Sequence, residues 1–135
     1  MKEELISFET AKLAKEVGFD TPTWFFYTVQ GTVSEHLPEG FAGLNEELWQ
    51  TNSTHKELAN PYFLASAPTQ SLLQRWLREK HKVLVWIKPI PSVGKWSVYV
   101  DDTIGRHLVA DYIFKDTYEE ALEAGLLEAL KLIKT

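Results

Sequence analysis

The amino-acid sequence predicts an α+β protein in a single domain, residues 1–135, with an antiparallel sheet of three to five strands and helices mainly on one face. Helical periodicity at the start, the middle and the end of the chain is the first observation behind this prediction. The second is a run of three alternating apolar stretches at hairpin spacing, which predicts an antiparallel meander. The third is a hydrophobic content of 44%, which is enough for a core without disulfides. The predicted order is an N-terminal α-β unit followed by α-β-β-β-α.

The first predicted elements are a helix over residues 7–17 and a strand over residues 23–31. Ser7 suits the N-cap of the helix because its hydroxyl can accept a hydrogen bond from a free N–H of the first turn. Gly18 suits the left-handed position after the helix end. The strand is rich in aromatic and β-branched side chains and is apolar on both faces. A strand of this kind is covered on both sides or contacts a partner.

Residues 31–60 are polar and acidic, and they carry the weakest pattern of the chain. A connection of this length without structure is unusual in a compact domain, so we expect further elements here. The stretch "GLNEELWQ" predicts a short helix capped by Asn45, and "PYFLA" predicts a short strand after it.

The second helix is predicted within "SAPTQSLLQRWLREKH", which is residues 66–81. Ser66 or Ala67 is the expected N-cap, with Pro68 in the first turn, where its missing N–H costs nothing. One face is apolar and the opposite face is charged, as in a helix that packs on a sheet. Basic residues at the end suit the negative pole of the helix dipole. Helix geometry therefore accounts for this pattern, and no function is needed to explain it.

Three strands are predicted next, over residues 82–88, 95–101 and 106–114. In the second of these strands, alternation turns Ser97, Tyr99 and Asp101 outward and their apolar neighbours inward. For the third strand we expect Val109 or Ile113 on the outer face.

The last helix is predicted over residues 116–134. Thr117 and Glu120 form a capping box, which is the sequence pattern of a helix N-terminus. Gly125 stands in the middle of this helix, where glycine costs roughly 1 kcal/mol relative to alanine. We expect it to allow a close approach to the second helix, at residues 72–77.

Several functions are excluded or disfavoured by residue types. The chain has no cysteine, which excludes disulfides, thiolate catalysis and cysteine-based zinc sites. No P-loop, GxGxxG, GxSxG or HExxH pattern is present. With none of these patterns present, we expect no cofactor and no metal. We also expect no membrane association and a cytoplasmic location, because the first residues are acidic and no apolar run follows them.

One turn collects groups that could do acid–base chemistry. Asp101, Asp102, Arg106 and His107 lie within seven positions. A carboxylate next to a histidine can act in a small hydrolase or a metal enzyme. The same residue types are also ordinary turn chemistry. We expect the chain not to be an enzyme, and we keep this alternative open.

The candidate surface is the outer face of the predicted meander, where Trp86 and Tyr99 stand on neighbouring strands. Segment 75–107 contains seven basic and three acidic residues. Aromatic rings with nearby cations can stack single-stranded nucleic acid, which is the alternative function. The N-terminal strand or another protein could instead cover this face. The candidate interaction residues are Trp24, Arg75, Arg78, Trp86, Tyr99, Arg106 and His107.

The order α-β-β-β-α resembles the double-stranded-RNA-binding domain. That domain holds phosphates with basic residues at the start of its last helix. This chain has Glu119 and Glu120 at that position, and both would repel phosphate. The resemblance in topology therefore implies no such function.

Three stretches carry a further resemblance: "LISFETAKLAKEVGF", "SAPTQSLLQRWLREKH" and "TYEEALEAGLLEALKLI". Together, and in this order, they resemble a family of small uncharacterised proteins of Bacteroides-type phages and prophages. The resemblance implies a phage or prophage origin and the cytoplasm of the bacterial host, and it implies no reaction. With the aromatic surface, it leads us to expect a non-enzymatic accessory protein that binds another protein or itself.

Overall fold

A computed structural model of the chain describes residues 4–21, 23, 25–35, 63–109 and 113–134. The predictions on Trp24 and on "GLNEELWQ" lie outside the described residues. The chain forms two compact units, the first at Leu5–Pro68 and the second at Met1–Glu4 with Thr69–Thr135. The prediction of a single domain stays a prediction.

The first unit combines one helix with a three-stranded antiparallel sheet. The sheet has the order β2-β1-β3. Its elements are α1 (Phe8–Glu16), β1 (Phe25–Thr28), β2 (Val33–Glu35) and β3 (Phe63–Ser66). The predicted caps of α1 are confirmed, since Ser7 Oγ accepts from Thr10 N at 3.2 Å and Gly18 has a φ of 92°. Strand β3 confirms the element that "PYFLA" predicts.

A buried tyrosine joins the sheet of the first unit to the segment before α1. Tyr27 Oη donates a hydrogen bond to Ile6 O at 2.6 Å, and the ring of Tyr27 also contacts Phe8. The side chain of Lys15 reaches β3 and donates to Leu64 O at 2.6 Å. The Tyr27 bond gives a buried hydroxyl its acceptor, whereas the Lys15 bond lies at the exposed edge of the unit.

The second unit has two helices and a second three-stranded antiparallel sheet, of order β4-β5-β6. Its elements are α2 (Gln70–His81), β4 (Val83–Ile90), β5 (Lys95–Asp102), β6 (Ile113–Lys115) and α3 (Tyr118–Lys134). The α+β class is confirmed. The described strands divide between two sheets, where the sequence predicts one sheet of three to five strands.

Helix α2 begins later than the sequence predicts. Its N-cap is Thr69, whose Oγ1 accepts from Leu72 N at 3.2 Å, and Ser66 is the last residue of β3. The prediction of Ser66 or Ala67 as the cap is therefore wrong. The reason is that Ser66 pairs with Phe26 in the sheet, which holds its backbone extended.

Helix α3 packs on the sheet of the second unit through Gly125. A Cβ atom at this position would lie 2.6 Å from Val85 Cγ1 and 2.8 Å from Val98 Cγ1. Both valines are buried and belong to the paired strands β4 and β5. Gly125 therefore brings α3 close to the sheet, and the prediction that it approaches the second helix is wrong.

The two helices of the second unit also contact each other through a buried polar side chain. Gln70 Nε2 donates to Glu119 O at 2.9 Å and to Glu123 Oε1 at 3.1 Å. The capping box of α3 is confirmed, because Thr117 Oγ1 accepts from Glu120 N at 3.1 Å. No helix among the described residues is long and apolar enough to cross a membrane.

Candidate interaction surface

The strand register of the second unit determines which side chains share the sheet face opposite α3. Directly paired residues of antiparallel strands project from the same face. Three rows of pairs lie on the side away from Val85 and Val98: Leu84 with Asp101, Trp86 with Tyr99, and Lys88 with Ser97, which in turn pairs with Phe114. His107 forms an isolated bridge with Asp101 and extends the first row. We call these eight residues the outer face.

Two aromatic rings stack at the centre of the outer face. The ring centroids of Trp86 and Tyr99 are 4.3 Å apart, and their planes differ by 16°. Trp86 is nevertheless 42% exposed, and Phe114 in the next row is 47% exposed. The face therefore presents large apolar side chains to solvent, as protein-binding surfaces do.

A buried carboxylate holds this aromatic pair in place. Asp101 is 6% exposed and uses both of its oxygens. Oδ2 accepts from Trp86 Nε1 at 2.7 Å, and Oδ1 lies 2.6 Å from His107 Nδ1. A carboxylate only accepts hydrogen bonds, so His107 donates through Nδ1 when Asp101 is ionised. Because Nδ1 is occupied, Nε2 is the ring nitrogen left for another molecule.

His107 owes its position to the turn that follows β5. Asp102 N donates to Arg106 O at 2.9 Å, and Leu108 N donates to Val100 O at 2.8 Å, so the chain returns alongside β5. The side chain of His107 is 67% exposed. The turn thus brings an exposed imidazole next to a buried carboxylate on the adjacent strand.

Asp102 stabilises the turn itself. Asp102 Oδ1 accepts from Arg106 N at 2.9 Å and from Ile104 N at 3.0 Å, and Oδ2 accepts from Arg106 Nε at 2.6 Å. The backbone N–H of Arg106 is the main cause that lowers the pKa of Asp102; burial opposes it, and the Arg106 side chain and the Ile104 N–H add to the lowering. The two neighbouring aspartates therefore have different roles, one in the turn and one on the outer face.

Within β6, Ile113 and Phe114 lie on the opposite faces from those that the sequence predicts for the third strand. Ile113 pairs with Val98 and so lies on the helix side, which corrects its expected place on the outer face. Phe114 takes that place, and the sequence reasoning missed it. Alternation divides a strand into two faces but does not say which face is outside. Knowledge that Phe114 pairs with Ser97, which the sequence already predicts to face outward, would have assigned Phe114 to the outer face.

The other predicted surface residues lie away from the aromatic pair. Arg75 and Arg78 are exposed on α2, where Arg75 Nε is 3.9 Å from Glu79 Oε2. Arg106 is bonded to Asp102 in the turn. The structure thus brings together Trp86, Tyr99 and His107, but not the three arginines.

The pairing of Asp101 with His107 provides a base and the group that orients it, which are two parts of a catalytic triad. Among the described residues, no serine or threonine hydroxyl is hydrogen-bonded to His107. In the same part of the chain, no three histidine, aspartate or glutamate side chains are grouped as metal ligands. Among the described residues, Asp101 therefore orients the His107 imidazole, but no nucleophile is positioned next to it.

Comparison with known proteins finds no relative. No protein-family model matches the chain, and no curated protein or solved structure matches it.

Proposed function

We propose that the chain is a non-enzymatic binding module that engages another protein through the outer face of its second unit. The observation that carries the proposal is the exposed Trp86, which is stacked on Tyr99 and bonded to buried Asp101. Tryptophan and tyrosine are enriched among the residues that dominate binding energy at protein interfaces.

The support for this proposal is that the Trp86 side chain is exposed and yet held in one orientation. An exposed tryptophan usually loses side-chain freedom when a partner binds, and that loss reduces affinity. Here the indole is already fixed on one side by the Tyr99 ring and at Nε1 by Asp101. A partner would therefore meet a preorganised apolar side chain, with little further loss of freedom.

Nucleic-acid binding through segment 75–107 is the alternative function, and the charges of that segment favour it less. Lys95 Nζ is 2.6 Å from Asp116 Oδ1, and Arg106 is bonded to Asp102. Nucleic-acid affinity depends on several cations that contact phosphates. In addition, the Trp86 and Tyr99 rings cover each other on one side, which leaves less ring surface for bases.

The role as an accessory protein of a phage or prophage belongs to the same proposal and rests on the sequence resemblance. A small hydrolase or metal enzyme remains the third hypothesis, and the pairing of Asp101 with His107 is the observation that favours it. His107→Ala would abolish any hydrolysis that depends on this pair. Equal activity of the variant and the unchanged chain would eliminate that hypothesis.

The binding proposal is tested by comparing partners of the unchanged chain with those of Trp86→Ala. Tagged protein is incubated with bacterial lysate, and co-purifying proteins are quantified by mass spectrometry. Leu132→Ala is the matched control, because Leu132 is 38% exposed on α3, away from the outer face. We expect one protein to be captured by the unchanged chain and the control and to be lost with Trp86→Ala. Equal capture by all three proteins would refute the proposal, and nuclease-sensitive material would favour the alternative.

A further inference from the structure

We propose that the partner presents an extended acidic segment, in which a carboxylate contacts Lys88 and a nearby apolar side chain contacts Trp86. This inference rests on the proposed binding function and adds the chemistry of the partner. It follows from the charges of the outer face and from the spacing of its side chains.

The outer face carries the ammonium group of Lys88 and the imidazole of His107, but no exposed carboxylate. Asp101 is the one acidic residue in the set of eight, and both of its oxygens already accept hydrogen bonds within the unit. Lys88 is exposed, and no described carboxylate lies within ion-pair distance of it. His107 adds an exposed imidazole whose Nε2 is not engaged by Asp101. A partner of negative charge is therefore complementary to this face.

The spacing of the face matches an extended peptide. Trp86 and Lys88 are two residues apart on β4 and share one face, so their Cβ atoms are about 7 Å apart along the strand. An extended peptide has the same distance between side chains at positions i and i+2. A glutamate two residues from a phenylalanine or leucine would therefore place its carboxylate at Lys88 when the apolar side chain lies on Trp86.

A basic partner and a nucleic acid fit the same face less well. A basic segment would bring like charge to Lys88 while Asp101, being buried, offers no compensating contact. A nucleic acid would find one unpaired lysine on the face, whereas several phosphate contacts are the usual source of its affinity. A peptide carboxylate can accept one charge-assisted hydrogen bond from the Lys88 ammonium group while a neighbouring apolar side chain contacts the rings.

The test measures fluorescence anisotropy of three labelled probes with the full-length chain. The first probe is a short peptide in which phenylalanine and glutamate stand two positions apart. The second has lysine in place of each glutamate, and the third is an oligothymidine single strand. We expect the glutamate peptide to bind, with an affinity that falls as salt is raised, and the other two probes to bind at least tenfold more weakly.

Charge-reversal variants test whether binding of the glutamate peptide depends on Lys88. Lys88→Glu is expected to weaken the glutamate peptide roughly tenfold, because it replaces an attraction by a repulsion at an exposed site. Lys80→Glu is the matched control, since Lys80 is exposed on α2 and carries the same charge, and it should leave binding unchanged. Both lysines are exposed, so neither substitution removes a buried contact, and we expect both variants to fold.

Different failures separate this inference from the proposed function. Failure of the glutamate peptide to bind, or an equal loss with Lys88→Glu and Lys80→Glu, would overturn the acidic partner. Tighter binding of the lysine peptide or of oligothymidine would overturn it as well. If Trp86→Ala abolishes capture from lysate while Lys88→Glu has no effect on the probe, the binding function stands and the partner chemistry is wrong.

Discussion

Gly125→Ala examines how closely α3 lies against the sheet of the second unit. The added methyl group would stand 2.6 Å from Val85 Cγ1 and 2.8 Å from Val98 Cγ1, far inside van der Waals contact. Both valines are buried, and they lie on the neighbouring strands β4 and β5, where Val85 pairs with Val100 and Val98 pairs with Ile87. The methyl group therefore fits only if the valine side chains rotate or α3 moves away from the sheet.

Two opposing effects set the magnitude of the change. Alanine is better than glycine in a helix interior by about 1 kcal/mol. Overpacking a filled core by one methyl group costs about 1–3 kcal/mol. The net loss in the free energy of unfolding is then about 1 kcal/mol, which corresponds to a fall in Tm of about 3–6 °C for a chain of this size.

The assay is urea unfolding followed by circular dichroism, with the unchanged chain and two variants. Ala124→Gly is the control at the neighbouring position of α3, and it isolates the helix-propensity effect, with an expected loss of about 1 kcal/mol. Gly125→Leu should be more damaging than Gly125→Ala, since three further carbons must be accommodated. A higher midpoint for Gly125→Ala would refute the reasoning, because helix propensity would then outweigh the contact with the valines.

Three further predictions concern hydrogen bonds of the second unit. The pKa of Asp102 is lowered from its ordinary value of 3.8, so ionised Asp102 stabilises the fold above pH 3.8 and loses this effect as the pH falls through the lowered pKa. Asp102→Asn should therefore have a lower urea midpoint than the unchanged chain at neutral pH and an equal midpoint in strong acid. Trp86→Phe leaves a buried oxygen of Asp101 without its donor and should cost about 1–3 kcal/mol, measured by urea unfolding, and no loss would mean that water replaces the indole. Thr69→Ala removes the acceptor of Leu72 N and should cost about 1 kcal/mol in the same measurement, whereas an unchanged midpoint would show that the cap contributes nothing.

The elements were largely predictable because their signals are local. The capping box at Thr117 and the glycine after α1 act within one turn, so the residues themselves carry the information. Alternation likewise indicated β4 and β5. By contrast, the cap of α2 was misplaced, because Ser66 has good cap chemistry but is already part of β3.

The site was predictable only in part, since it depends on contacts between distant positions. Sequence reasoning selected Trp86, Tyr99 and His107, which the register brings together. It could not choose between Asp101 and Asp102 as the partner of His107. It also missed Phe114, whose face depends on pairing with β5. Register is a property of two strands, and neither strand alone specifies it.

By itself, the sequence determined the α+β class, the helix ends marked by local caps, and the absence of cysteine chemistry. The tertiary structure decided that the described strands form two sheets and that Gly125 contacts valines of the sheet. It also decided that Asp101 holds Trp86 and His107 on an exposed face. The physical reason is range: hydrogen bonds within a turn follow from neighbouring residues, whereas packing and strand pairing depend on which distant side chains the completed fold brings into contact.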